Sequence, residues 1–338
     1  MPPNQPSLRV GLLDNACHSL QRGYEQWSRG QQVKDGMLLK EAVIWVHHGT
    51  ELALKQLLVQ SNEYLVFENV DSAIEKLDKL RKRPGMANAT VLDLFEHGQG
   101  AFTVGFAKLI ERVAVMLGIS ELAQGANLRQ NIDELATLRN KLVHFSVTIN
   151  VVEVASLLSD ILDPLLNMLN REVSDSKFRD ICIPEVRRRA QPVQNFSYEL
   201  AAEGEKRVSR LLQRLGGEEI PGEFFGTAGP VQFPLFKGVS ETQPGRRGAD
   251  LEARGDLEDW IVEIKLRVTP QLARELRYQL EHFRRLYEER TGRLPKVWLV
   301  ALSDLPPVAK AMFVEAGILV STGEDLARLE SLASGLSA

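Results

Sequence analysis

The sequence predicts two unlike parts: an all-α bundle, then an α/β domain with a central mixed sheet flanked by helices. Three observations predict it. Through residues 8–170 apolar positions recur at intervals of three and four, the period of an amphipathic helix, and nowhere alternate for long. From residue 197 onward, short alternating or fully apolar runs (GADLEA, DWIVEIKL, KVWLVALS, ILVST) are interleaved with helical segments. Between the two, residues 171–196 hold Pro184, Pro192 and the run Arg187-Arg188-Arg189, the composition of a connection.

The domain reading is therefore 1–170 helical, 171–196 linker and 197–338 α/β, and a length of 338 residues fits two domains. Hydrophobic content of 44% with 25% charged residues places the chain among ordinary soluble globular proteins. A net charge of -4 gives no global nucleic-acid signal, although a local basic groove fits within an acidic protein.

In the first part, LLKEAVIWVHHGTELALKQLLVQ (38–60) reads as a long buried helix. SAIEKLDKLRKR (72–83) is a more solvated one, broken by Pro84 and Gly85. TVLDLFEHGQ and AFTVGFAKLIERVAVMLG follow, the latter with Gly118 as its C-terminal stop. NIDELATLRNKLVHF and VVEVASLLSDILDPLLNMLN complete the bundle. The connection is expected to carry one short strand, FRDICI, and its arginines to meet solvent, with phosphate contact as the alternative.

The second part opens with the helix SYELAAEGEKRVSRLLQRLG and extended pieces around VQFPLF. GADLEA and DWIVEIKL read as two strands joined through Arg254-Gly255-Asp256. The helix PQLARELRYQLEHFRRLYEERTG starts at Pro270 and stops at Gly292. KVWLVALS is a buried strand, PVAKAMFVEAG a helix, ILVST the last strand and EDLARLESLAS the last helix.

Cys17 and Cys182, far apart in sequence, make no metal-type pair and are read as thiols of a reducing compartment. The start of the chain has no apolar leader, and no run is long enough to cross a bilayer. The expectation is a cytoplasmic protein with no membrane contact. No Gly-x4-Gly-Lys-Ser/Thr loop is present, so the chain is not read as an NTPase. His18, His47, His48, His97 and His282 form no ligand set with the cysteines, and His47-His48 is expected at a helix surface.

The chemistry lies in DWIVEIKL. Alternation puts Ile261, Glu263 and Lys265 on one face and Val262, Ile264 and Leu266 on the other. The preceding strand brings Asp250 across the hairpin, so two carboxylates and an amine converge. Mg²⁺ is held by one or two carboxylates with waters and phosphate oxygens, and an ion so held activates water against a phosphodiester. Glu-x-Lys alone is more simply a cross-strand ion pair; its surroundings change the balance.

Those surroundings resemble the PD-(D/E)XK nuclease superfamily, and within it the Mrr-like restriction endonucleases, over about residues 197–332. Glu205-x-x-Val208-x-x-Leu211-Leu212-x-x-Leu215-Gly216 is similar to the family's opening helix. Asp250 and Glu263-Ile264-Lys265 match its metal-binding hairpin, with Ala249 where the family often has proline. Gln279 stands on the next helix, and Ala309 with GILVSTGEDLARL resembles the closing elements. The resemblance implies a restriction-endonuclease-like fold and a metal site, Mg²⁺ or Mn²⁺ on Asp250, Glu263 and the Ile264 carbonyl. It further implies that Lys265 positions water while Glu205 and Gln279 support the site.

A second constellation lies in LATLRNKLVHFS, where Asn140 and His144 are four apart on a helix face beside Arg139. A histidine acid-base and a phosphate-holding arginine are the parts of metal-free RNA cleavage. Arg139-Asn140-x-x-x-His144 resembles the Arg-x4-6-His signature of HEPN domains, and GTELALKQLL is similar to their earlier helix with an acidic residue, here Glu51. This resemblance covers about residues 10–170 and implies a homodimer whose paired motifs bind or cut RNA.

Together these imply a metal-dependent DNA endonuclease, a hydrolase of restriction or antiviral defence, with a HEPN bundle for dimerisation and RNA contact and an operon-encoded defence partner. The alternatives are a HEPN ribonuclease toxin with a nucleic-acid-binding C-terminal domain, and a non-catalytic nucleic-acid-binding scaffold.

Overall fold

The computed structural model describes residues 11–90, 93–96, 102–145, 149–214, 216–220 and 249–335. The chain divides into two compact units, Met1–Gln194 and Asn195–Ala338.

The first unit is helical. α1 (Leu12–Val33) and α2 (Gly36–Ser61) form a hairpin, reversed at Lys34 in the left-handed region and capped by Asp35, which accepts from the Met37 N–H at 2.8 Å. Their backbones approach closely because Gly23 and Gly49 carry no side chain. A Cβ at Gly23 would stand 2.5 Å from Val46 Cγ2, and one at Gly49 2.7 Å from Leu20 Cγ. α3 (Val70–Arg81), α4 (Asp93–Glu96), α5 (Phe106–Met116), α6 (Asn127–His144) and α7 (Val151–Glu172) follow. α2 packs against α1, α5, α6 and α7, so it buries residues around much of its circumference, which explains its dense apolar pattern. Gly118 takes a positive φ just past α5, the stop expected of it.

The expected FRDICI strand is absent. Phe178–Cys182 winds as a π-turn that runs into α8 (Ile183–Arg214), the chain's longest helix among the described residues. Val186, Ala190 and Val193 are buried at helical spacing, and Pro184 follows directly on the π-turn, where the irregular backbone accommodates its missing N–H. Pro192 lies inside the helix, where it removes one backbone donor. The arginine run is paired within the first unit: Arg187 with Asp163, Arg188 with Glu185, and Arg189 with both Glu185 and Glu25.

The reading of the cysteines is also corrected. Packing of α1 beside the π-turn brings Cys17 and Cys182 into a disulfide with Cα atoms 5.9 Å apart, across 165 residues of sequence. Sequence distance says nothing of spatial distance, and the argument from thiols to a reducing compartment falls with it. No helix among the described residues is long and apolar enough to cross a membrane.

The second unit is α/β. Its sheet has the order β1 (Gly217–Ile220), β2 (Leu251–Gly255), β3 (Asp259–Lys265), β4 (Lys296–Ala301), β5 (Leu319–Thr322). The pairs β1–β2 and β2–β3 are antiparallel, whereas β3–β4 and β4–β5 are parallel. The parallel pairs are joined by helical crossovers through α9 (Pro270–Thr291) and α10 (Pro307–Glu315), and α11 (Gly323–Gly335) follows β5. β1, with sequence GEEI, has too little apolar content to be read as a strand. The extended reading around VQFPLF, residues 231–236, lies outside the described residues.

Strand alternation sorts the core into two layers. Ile261, Val297 and Leu299 face Leu276, Leu280 and Phe283 of α9 and Phe313 of α10. Val262, Ile264, Trp298 and Val300 pack with Val208, Leu211 and Leu212 of α8 and Leu326 of α11. Each such side chain fully buried is worth about 1.5–3 kcal/mol, so both faces of β3 are held by packing.

Candidate active site

The polar positions of β3 point into the layer toward α9, on the same face as Ile261. The β2–β3 register places Leu251 opposite Val262, so Asp250, just before β2, falls beside Glu263. Asp250 Oδ2 accepts from the Ile264 N–H at 2.7 Å and lies 3.5 Å from Lys265 Nζ. The same amine pairs with Glu263 Oε1. One ammonium thus bridges two carboxylates at the end of β3. The site is graded in exposure, with the Glu263 side chain 5% exposed and those of Asp250 and Lys265 at 20% and 29%.

Burial raises the Glu263 carboxyl above its ordinary range; Lys265 pulls it back and Asp250 raises it again. Burial also acts to lower the Lys265 ammonium, but Glu263 and Asp250 together outweigh it and hold the amine charged. Glu263 Oε2 is buried and has no hydrogen-bond partner among the described residues. Gln279 lies on the sheet-facing stripe of α9, buried, and its Oε1 is likewise without a hydrogen bond there. Buried acceptors left open in this way suit a cation or a donor from a ligand.

Glu205 is half-buried on α8 next to Gly204, where a Cβ would meet Leu302 Cδ1 at 2.8 Å and Ile264 Cγ2 at 3.3 Å. The helix is therefore pressed on β3 from the face opposite Glu263. Among the described residues no three His, Cys, Asp or Glu side chains gather at one point as a metal cluster. The carboxylate pair nevertheless fits Mg²⁺ or Mn²⁺, since such ions take one or two protein carboxylates and complete their shell with water and phosphate.

Sequence reading missed Glu252, which shares the Glu263 face through its register with Ile261. It is 1% exposed, and both its oxygens lack hydrogen bonds among the described residues. Burial raises its carboxyl to about 7 against the pull of Arg254 and Arg290. The signal was present, because Asp250-x-Glu252 alternates in step with Glu263-x-Lys265. Asp259, also buried, is held by Arg293 at 3.1 Å, and Arg293 donates to the Gly255 carbonyl at 3.0 Å, which closes the far end of the hairpin.

In the first unit, Arg139, Asn140 and His144 lie along the last turns of α6. Arg139 donates to Asn140 Oδ1 at 3.0 Å, and Asn140 and His144 are exposed. Glu51 on α2 is held by Lys55 at 2.6 Å, and Lys55 also reaches Thr103 Oγ1 at 3.1 Å. His47, expected at a surface, is buried against the Phe106 ring at 4.2 Å between centroids. Burial lowers its imidazole to about 4, opposed by Glu51 and reinforced by Arg139 and His48, so it is neutral at pH 7. His48 stays at the edge, in contact with Trp45.

Comparison of the chain with protein-family models, with curated proteins and with solved structures finds no match.

Proposed function

We propose that the protein is a metal-dependent nuclease that hydrolyses DNA phosphodiester bonds at the end of β3. The single observation that carries this reading is the Asp250–Lys265–Glu263 bridge, in a sheet whose β2–β3 hairpin is antiparallel and whose β3–β4 crossover is parallel. Asp250 and Glu263, with the Ile264 carbonyl, would hold Mg²⁺ or Mn²⁺. When bound, the ion supplies a lowered pKa for water and stabilisation of charge on the phosphate oxygens. Lys265, kept charged by its two carboxylates, orients the attacking water and faces the negative charge that grows on phosphorus oxygens. Buried Glu263 excludes bulk water from one side of the site, and the Gln279 amide offers polar groups from α9.

A second reading, metal-free RNA cleavage in the helical unit, has one observation in its favour: His144 and Asn140 are exposed while Arg139 is tied to Asn140. A cleavage panel separates the two. DNA and RNA are incubated with wild type, Asp250→Ala and His144→Ala, in Mg²⁺ or EDTA. The proposal expects DNA cleavage that needs metal, is lost in Asp250→Ala and persists in His144→Ala. Cleavage confined to RNA, surviving EDTA and lost in His144→Ala, supports the second reading instead.

A further inference from the structure

α9 carries a surface that the hydrolytic site does not use. Its buried stripe, Ala273, Leu276, Gln279, Leu280, Phe283 and Tyr287, faces the sheet. The crest directly opposite, at helical spacings of four and seven, is Arg274, Tyr278 and Arg285. All three are exposed, and Tyr278, at 70%, is among the most exposed aromatic side chains described. Neither Arg274 nor Arg285 makes an ion pair or hydrogen bond among the described residues. Of the acids near them, Glu281 is neutralised by Arg277 at 3.0 Å, whereas Glu275 accepts from the uncharged Gln271 amide at 3.1 Å and keeps its charge. Glu288 and Glu289 bound the stripe at its far end.

Arg274 and Arg285, to either side of the exposed Tyr278 ring along the helix, make no ion pair or hydrogen bond that anchors them to the fold among the described residues. Exposing Tyr278 forgoes the burial that its ring would otherwise gain. The arrangement complements a polyanion that also offers flat apolar faces. From Arg274 to Arg285 the helix rises about 16 Å, roughly the length of five stacked nucleotides of one strand. A duplex hides its base faces in the stack, so a tyrosine finds a partner only on an unpaired base.

We infer that the outer crest of α9 is a binding site for single-stranded nucleic acid, with Arg274 and Arg285 on phosphates and Tyr278 stacked on an unpaired base. This rests on the nuclease reading and deepens it: the substrate class becomes a strand with an unpaired segment, held by the reverse side of the helix that presents Gln279.

Fluorescence anisotropy of a labelled single-stranded oligonucleotide with the full chain tests this, in EDTA so that no cleavage intervenes. Unlabelled single strand and duplex serve as competitors. Tyr278→Ala is expected to weaken single-strand binding roughly tenfold, and Tyr278→Phe to restore it. Arg274→Ala with Arg285→Ala is expected to flatten the log-log salt dependence by about 1.4, two phosphate contacts on a single strand. Single strand should compete better than duplex. Absence of binding by wild type, or binding unchanged in Tyr278→Ala and in the double arginine variant, overturns the inference, as does equal competition by duplex. Thermal melts of these surface variants show whether they are folded. Cleavage by wild type in Mg²⁺ separates the two ideas: if it is absent while Tyr278-dependent binding is present, the nuclease reading fails and the strand site stands.

Discussion

Lys265 Nζ lies 3.5 Å from Asp250 Oδ2 while it also pairs with Glu263, so a single ammonium is shared between two carboxylates at the end of the central strand. Its removal leaves Glu263 buried without a counter-charge. Lys265→Met is expected to cost about 3 kcal/mol in urea unfolding at pH 8, the scale for breaking a buried pair. The cost should shrink at pH 5.5. Glu263, with its folded pKa raised above its unfolded value, takes up a proton on folding, so the stability it costs grows as pH rises. A pH-independent loss would show that the pair is not the source.

Occupancy by metal has a readout apart from cleavage. Mg²⁺ or Mn²⁺ at a hundredfold its Kd should stabilise the folded chain by about 2.7 kcal/mol. Differential scanning fluorimetry reads that as a rise in Tm, which EDTA reverses and Asp250→Ala lacks. Equal shifts in wild type and Asp250→Ala would place the ion elsewhere.

Glu252 sets a pH dependence of its own. Its carboxyl is raised to about 7, so between its ordinary value of 4.5 and that point the folded state binds more protons than the unfolded one. Stability therefore falls as pH rises through this window, by on the order of 1–3 kcal/mol. Glu252→Gln keeps the shape and removes the charge. The variant should match wild type near pH 4.5 and exceed it at pH 8 in chemical denaturation.

The disulfide closes a loop across 165 residues of sequence, which in the chain-entropy model is worth about 5 kcal/mol. Reduction, or Cys17→Ser with Cys182→Ser, should lower the guanidinium midpoint of the transition that unfolds the helical unit. Identical midpoints with and without reductant would show that the bond does not constrain the unfolded chain.

Much of the architecture was legible in the sequence because burial imposes a period. Val262, Ile264 and the intervening charged positions of β3 show which face is apolar, and Pro270 with Gly292 marks both ends of α9. The Asp250–Lys265–Glu263 convergence follows from that alternation and the hairpin. What escaped depends on tertiary contact. Pro184 and Pro192 suggested a linker, yet Val186, Ala190 and Val193 are buried and keep the segment helical. His47 looked like a surface residue until α5 covered it with Phe106. Cys17 and Cys182 meet only because helices far apart in sequence pack together. Alternation places Glu252 on the face of Glu263, but its burial is not legible in the sequence, where a strand glutamate reads as solvent-facing.

The central claim is tested most directly by the rate at which Glu263→Gln cleaves DNA in saturating Mg²⁺ compared with wild type. Glutamine preserves the size of the buried side chain and removes only the charge that would hold the ion. The account predicts a fall of more than about 100-fold in cleavage with the melting temperature maintained, the scale on which sites lose function when metal ligation is disturbed. Cleavage at the wild-type rate by a folded Glu263→Gln would contradict it.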